Sequence, residues 1–286
     1  MPKKLTISLP FIIGLLFATM LYNTFHWWGF LVVFPWVGFS ISTGVLLRQT
    51  LKGNKRLLGR KIAILMILPC LLLFVPIVNN ENFQLEGVVL IVLVGFFSKG
   101  FIHYCVAKLF GPLIWSRGFC GYACWTAAVF DWLPIRKTNN TVPRSYRKLR
   151  YVALGISILL PVFMILVFSY NPWNNYINKQ EMLWMFVSNG IYYAIGIPLA
   201  FILQDKRAFC KYVCPVSLVM TPTSRLGLLK VKPVLENNCI GCKACNNHCP
   251  MGVDVMGFMQ RNEKVTDTEC ILCNDCKIVC PTKKIK

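Results

Sequence analysis

The chain has 286 residues, 56% of them apolar, and its 31 Lys and Arg against 11 Asp and Glu give a formal charge of +20 at pH 7. Apolar residues gathered into uncharged runs of about twenty exclude an ordinary soluble domain and read as a polytopic membrane protein. The charge does not read as a nucleic-acid surface, because the basic residues crowd into loops between the apolar runs, where they report orientation and contact with lipid headgroups.

Six spans are predicted, at about 5–25, 27–47, 62–78, 87–108, 151–169 and 183–203. Lys3 and Lys4 precede the first. It lacks a small-residue cleavage site and turns through Asn23–His26 straight into the second, so it reads as a membrane helix and not a secretory leader. Arg48, Lys52, Lys55, Arg56, Arg60 and Lys61 fill the loop between spans two and three. Arg136, Lys137, Arg144, Arg147, Lys148 and Arg150 lie between four and five, and Lys206, Arg207 and Lys211 follow six. The opposite loops hold Glu81, Glu86 and Glu181, with Lys179 as their only base. By the positive-inside rule both termini face the cytoplasm, and the expected home is a bacterial-type cytoplasmic (inner) membrane.

No Asp or Glu falls within a predicted span, which argues against a carboxylate relay for pumping protons or sodium. Lys99 is the one charge well inside a span, and it lies four residues before His103 on the same helix face. That pair is a candidate for binding a quinone headgroup or a cofactor; a lysine snorkelling to the interface is the plainer reading. Cys70 and Cys105, inside apolar runs, read as packing residues. His26 and His103 are expected at opposite ends of the bundle, so no haem is predicted.

After the fourth span comes Arg117, Phe119, Cys120, Tyr122, Cys124, the pattern RxFCxYxC. It recurs after the sixth span as Arg207, Phe209, Cys210, Tyr212, Cys214. Five matching positions ninety residues apart indicate a duplication of two helix pairs, with spans one and two outside it. Residues four apart on a helix share a face, so each CxxxC is expected to offer two sulfurs in one direction. Two facing pairs make four thiolates, enough for a 4Fe-4S cluster at the membrane surface. Arg117 and Arg207 would offset its negative charge, and the aromatic residues would restrict water. Zinc, copper or a thiol/disulfide pair are the other uses of such cysteines.

The chain then writes one phrase twice: Cys239, Cys242, Cys245, Cys249, Pro250, and Cys270, Cys273, Cys276, Cys280, Pro281. Short gaps let one loop present three sulfurs to one cube, and in proteins of this pattern the fourth Cys of each run crosses to the other cluster. The assignment is Cys239, Cys242, Cys245 and Cys280 for one 4Fe-4S cluster, and Cys270, Cys273, Cys276 and Cys249 for the other. Zinc ribbons use CxxC pairs with a spacer, whereas here three cysteines run in register and a fourth follows. The fold expected is therefore mainly α: a membrane bundle over 1–235 and a small α+β ferredoxin-type domain over 236–286. Fourteen cysteines on a reducing side argue for ligands and buried thiols, not disulfides.

From about residue 60 onward, the order of these four cysteine blocks resembles the NapH/NosR-type membrane polyferredoxins. Cys210, Cys214 and Pro215 match that family's CxxxCP motif, while Trp125 replaces the proline after Cys124. With no covalent flavin region and no large extracytoplasmic domain, the chain is nearer the short NapH-like members. The resemblance implies electron transfer between a quinone pool and other redox subunits of a membrane complex. A maturation or metal-reducing factor, and a thiol/disulfide relay, are the competing readings.

Overall fold

A computed structural model describes residues 3–80, 82–95, 99–135, 143–171, 180–234, 239–283 and 285. Helices α1 (Lys3–Phe25) and α2 (Phe30–Thr50) form a hairpin whose backbones approach closely through small residues. A Cβ at Gly14 would lie 2.5 Å from the Phe34 carbonyl, and one at Gly38 would lie 2.6 Å from that of Pro10. In lipid such close packing stands in for the hydrophobic drive that water supplies elsewhere. The third rod, α3 (Gly53–Asn79), is long and apolar, and Pro69 within it is followed by a π-helical turn at Cys70–Phe74. Proline has no N–H to offer the preceding turn, and the wider π turn absorbs the resulting gap.

The expected fourth span is broken. In its place stand α4 (Leu85–Val94) and α5 (Phe101–Trp115), each too short to cross alone. Gly95, at φ 74°, closes α4 in the left-handed region that favours glycine. Helix α5 then doubles back, since Lys108 Nζ donates to the carbonyl of Phe83 at 3.3 Å, just ahead of α4. The segment before α4 is sunk in the bundle: Asn82, Phe83 and Gln84 are all buried. Irregular backbone at this depth is tolerated only where protein covers it. Hydropathy registered the apolar content of 87–108 and missed the reversal.

Two short helices follow, α6 (Gly118–Tyr122) and α7 (Trp125–Asp131), then the long α8 (Leu149–Phe168) and α9 (Gln180–Ile202). Short α10 (Ala208–Tyr212), α11 (Val216–Val219) and α12 (Thr221–Arg225) complete the bundle. Five helices are long and apolar enough to cross a membrane, and exposed side chains such as Leu166 and Ile202 are what lipid contact requires. The chain is a multi-pass membrane protein.

The tail carries α13 (Ala244–Asn247), α14 (Val255–Gln260) and α15 (Asp275–Val279) around a second core of Val231, Met251, Val253, Met259, Val265 and Ile271. Among the described residues its β content is one antiparallel bridge, Pro233 to Ile285.

Candidate functional site

Both RxFCxYxC copies take the same local shape. Arg117 and Arg207 stand just ahead of α6 and α10, at φ −90° and −102°. After one helical turn the chain bends at Ala123 and Val213, and the Cys124 and Cys214 amides return to the carbonyls of Phe119 (3.0 Å) and Phe209 (2.9 Å). The expectation that both cysteines share one face of a continuous helix is thereby corrected. Each closing bond spans five residues, so the first Cys lies on the turn and the second lies beyond it. Trp125 in place of proline leaves that turn intact, and Cys124 is extended (ψ 112°) where it starts α7.

The two copies meet. Arg207 Nη1 donates to the Cys120 carbonyl (3.2 Å) and comes within 4.0 Å of Cys210 Sγ, tying one copy to the other. Cys124 lies within electrostatic reach of Cys120 and Cys210, and Cys214 within reach of all three. Burial, then the neighbouring sulfurs, push the Cys124 and Cys214 thiols up. Holding thiolates here therefore needs a metal or strong cationic help. Among the described residues no three His, Cys, Asp or Glu converge tightly enough for one ion. Four thiols from the two copies are the number that a 4Fe-4S cube or a single zinc ion would take.

Cations surround this group. Arg60, Lys108, Arg117, Arg150, Arg207 and Lys211 are all buried, and at this end of the molecule four buried carboxylates face them: Asp131, Asp205, Glu269 and Asp275. The surplus positive charge fits a group held by four thiolates. Lys108 is the clearest part of it. Its Nζ stands over the rings of Tyr104 (4.5 Å), Trp125 (4.7 Å) and Phe119 (5.6 Å), with Cys124, Cys214 and Cys120 within electrostatic reach. Sequence reasoning singled out Lys99 instead, whose side chain lies outside the described residues. Lys108 falls at the last position of the expected fourth span, where a lysine reads as an interfacial anchor. Tyr104, Phe119, Trp125 and the Phe83 carbonyl cover it instead.

The tail docks on the same end through ion pairs. Arg48 reaches Asp275 (2.6 Å) and Arg60 reaches both Asp275 (3.4 Å) and Asp131 (2.6 Å). Arg117 and Arg150 share Glu269, at 3.0 and 2.6 Å. Burial alone would raise these carboxyls, but Arg207 and Arg60 pull Asp131 down to about 2, and Arg117 and Arg150 pull Glu269 down to about 2. The loop arginines thus do more than report orientation: they hold the tail. Tyr122 donates its hydroxyl to the Cys273 carbonyl (3.3 Å), and Gly121 touches the tail so closely that a Cβ would lie 2.3 Å from the Ile271 carbonyl.

In the tail, Cys239, Cys242, Cys245 and Cys280 line one cavity together with Met256 and Met259. Cys270, Cys273, Cys276 and Cys249 form a second group, with Cys249 acting electrostatically on each of the other three. Cys245 of the first group lies within electrostatic reach of Cys276 of the second. Cys249 Sγ also accepts from the Val253 amide at 3.4 Å. No disulfide joins any of the fourteen cysteines. Between bundle and tail, Cys120, Cys124 and Cys214 pack on the bundle core while Cys120 and Cys210 pack on the tail core.

His103 lies farther in, beside an apolar cavity lined by Trp27, Phe30, Phe83, Val106 and Trp125. Its Nε2 and the Asn79 Nδ2, which share that cavity, are buried without hydrogen-bond partners.

A model of the 4Fe-4S dicluster domain matches residues 232–281, and a model of the 4Fe-4S binding domain matches twice, at 106–139 and 190–233, once over each RxFCxYxC copy. An uncharacterized protein of Methanocaldococcus jannaschii is 27% identical over 58% of this chain and 61% of its own length. The methylamine utilization ferredoxin-type protein MauN of Methylobacillus flagellatus is 28% identical over 48% of this chain and 50% of its own. The ferredoxin-type protein NapH of Haemophilus influenzae is 24% identical over 65% and 67%. The chain therefore spans half to two thirds of these relatives. No solved structure matches it.

Proposed function

We propose that this ferredoxin-type iron–sulfur protein, similar to NapH and MauN, carries electrons between a donor in the membrane, quinol by preference, and a redox partner at the tail. One observation supports the reading: of the four RxFCxYxC cysteines, Cys120, Cys124 and Cys214 pack against the bundle core and Cys120 and Cys210 against the tail core, so the group lies where bundle and tail meet. Cys120, Cys124, Cys210 and Cys214 would hold one 4Fe-4S cluster. The tail would hold two, on Cys239, Cys242, Cys245 and Cys280 and on Cys270, Cys273, Cys276 and Cys249. Such clusters, when bound, accept and release single electrons with little structural change.

The chain's own residues do the rest. Lys108, Arg117 and Arg207 supply fixed positive charge beside the thiols, favouring the more negative oxidation state. Phe119, Trp125 and Phe209 keep water away from them. The Arg48, Arg60, Arg117 and Arg150 ion pairs hold the tail at short range, which electron transfer requires. At the cavity, His103 Nε2 and Asn79 Nδ2 are the polar atoms able to meet a quinol hydroxyl or quinone carbonyl among apolar walls. With the basic loops on the cytoplasmic side of an inner membrane, the tail delivers to, or collects from, a cytoplasmic partner.

The test is iron counting and electron paramagnetic resonance of the full chain in detergent, before and after adding quinol. Expected are three cluster signals, reduced by quinol, with His103→Leu losing quinol reduction while dithionite still reduces every cluster. Clusters that accept electrons from dithionite and from no quinol would sink the donor assignment.

A further inference from the structure

The RxFCxYxC cysteines are expected at the membrane surface, yet the partners of both motifs lie along the middles of long helices. Helix α9 is apolar to its last residues, where Phe201 and Ile202 are 42% and 76% exposed, side chains that lipid must cover. Both motifs meet α9 well short of that end. The Tyr193 hydroxyl donates to the Trp125 carbonyl (3.2 Å) and the Thr126 hydroxyl to Asn189 Oδ1 (3.2 Å), one and two residues after Cys124. In the second copy the Phe209 ring packs on Tyr192, centroids 5.0 Å apart, and a Cβ on Gly196 would lie 3.1 Å from the Phe209 Cβ. Gly196 and Asn189 precede Ile202 by six and thirteen residues, which at 1.5 Å per residue is about 9 and 20 Å inward.

Helix α3 gives the same depth. Cys124 and Cys210 pack on Ile64, Ala127 and Ala128, beside Leu68, and Leu68 lies about 12 Å along α3 from Arg60. The tail stops at the ends of the spans. Asp275 meets Arg48 in the last turn of α2, and Glu269 meets Arg150, the second residue of α8. Arg150 Nη2 also donates to the Cys210 carbonyl (2.9 Å), so the thiol group begins at this boundary and runs inward from it. On its inner side Trp125 lines the His103 cavity together with Trp27, which sits in the turn joining α1 to α2 at their far end.

We propose that Cys120, Cys124, Cys210 and Cys214 form a station inside the membrane, about 10 Å below its tail-side face, so that an electron exchanged with the tail crosses part of the membrane's electric field. The proposal rests on the reading that these thiols hold a cluster, and adds that their exchange with the tail depends on voltage. About 10 Å is a third of a hydrocarbon core of about 30 Å. A third of the field shifts such an equilibrium about fourfold per 100 mV. In the step one electron leaves the group on these thiols, which is oxidised, and reduces a group in the tail; no proton and no heavy atom moves.

The unsubstituted full chain, set in lipid vesicles with its tail outward and partly reduced by limiting dithionite, tests both parts by electron paramagnetic resonance. An external dysprosium chelate, which cannot enter lipid and speeds the relaxation of nearby spins, should act strongly on two cluster signals and weakly on the third. A potassium diffusion potential set with valinomycin, negative on the tail side, should move reduced signal from those two to the third about fourfold per 100 mV, and the opposite polarity should move it back. Three signals that respond equally to dysprosium, or a distribution indifferent to potential, would overturn the intramembrane station and leave the electron-carrier reading standing. Two signals in all would overturn the four-thiol cluster itself, and the station with it.

Discussion

The two RxFCxYxC copies share a backbone and differ in what their arginines hold. Arg207 binds Asp131 through two bonds of 2.6 and 2.8 Å, joining the second copy to α7, which follows the first. Arg117, its counterpart, reaches out of the bundle to Glu269 and the Thr268 carbonyl of the tail. One copy closes the bundle on itself; the other fastens the ferredoxin-type tail to it. Duplication supplied two equivalent arginines, and their different partners made one a bolt and the other a dock.

The largest test of that comparison removes the shared centre. Cys214→Ser should cost one of three clusters, seen as a fall of about a third in iron per chain with the tail signals kept. Next come the two carboxylates. Asp131→Ala leaves Arg207 without its carboxylate and Arg60 with Asp275 alone, and Glu269→Ala leaves Arg117 and Arg150 without theirs at the dock. Each should cost about 3–5 kcal/mol, since a buried charge without its partner is strongly destabilising. The first loss should appear as a lower unfolding temperature of the bundle, the second as protease cutting between bundle and tail. Identical behaviour of the two variants would erase the distinction.

Smaller effects sharpen it. Lys108→Met removes a unit charge near the thiols and should lower the midpoint potential of the interfacial cluster by roughly 100 mV, taking an effective dielectric of about 20, with Lys108→Arg close to wild type. Redox titration reads this directly. For Asp131, a folded-state value depressed to about 2 means that its contribution is fully present above the usual carboxylate value and is lost as pH falls through about 2. That contribution is on the order of 2 kcal/mol, so Asp131→Asn should flatten the acid limb of the thermal-stability profile.

Much of this was legible in the chain. The repeated cysteine phrase of the tail marks a 4Fe-4S dicluster domain, and the duplicated motif betrays two equivalent turns. The long apolar runs mark every helix that crosses in one piece. What hydropathy averages away is direction: the reversal at Gly95, the sunken segment at Asn82–Gln84, and therefore Lys108. The loop arginines were visible too, but a count of charges gives a side of the membrane and not a partner. Their pairing with Glu269 and Asp275 joins residues more than a hundred positions apart, a relation that no local pattern encodes.

Gly121 draws these strands to a single hydrogen atom. With that hydrogen in place of a methyl group, the first motif can lie against the Ile271 carbonyl, two residues before Cys273. Under the proposed electron path, where tunnelling decays exponentially with separation, anything that wedges this seam open would act as a resistor in series. The closeness of the first motif to the tail is set here by what is not there: a missing carbon.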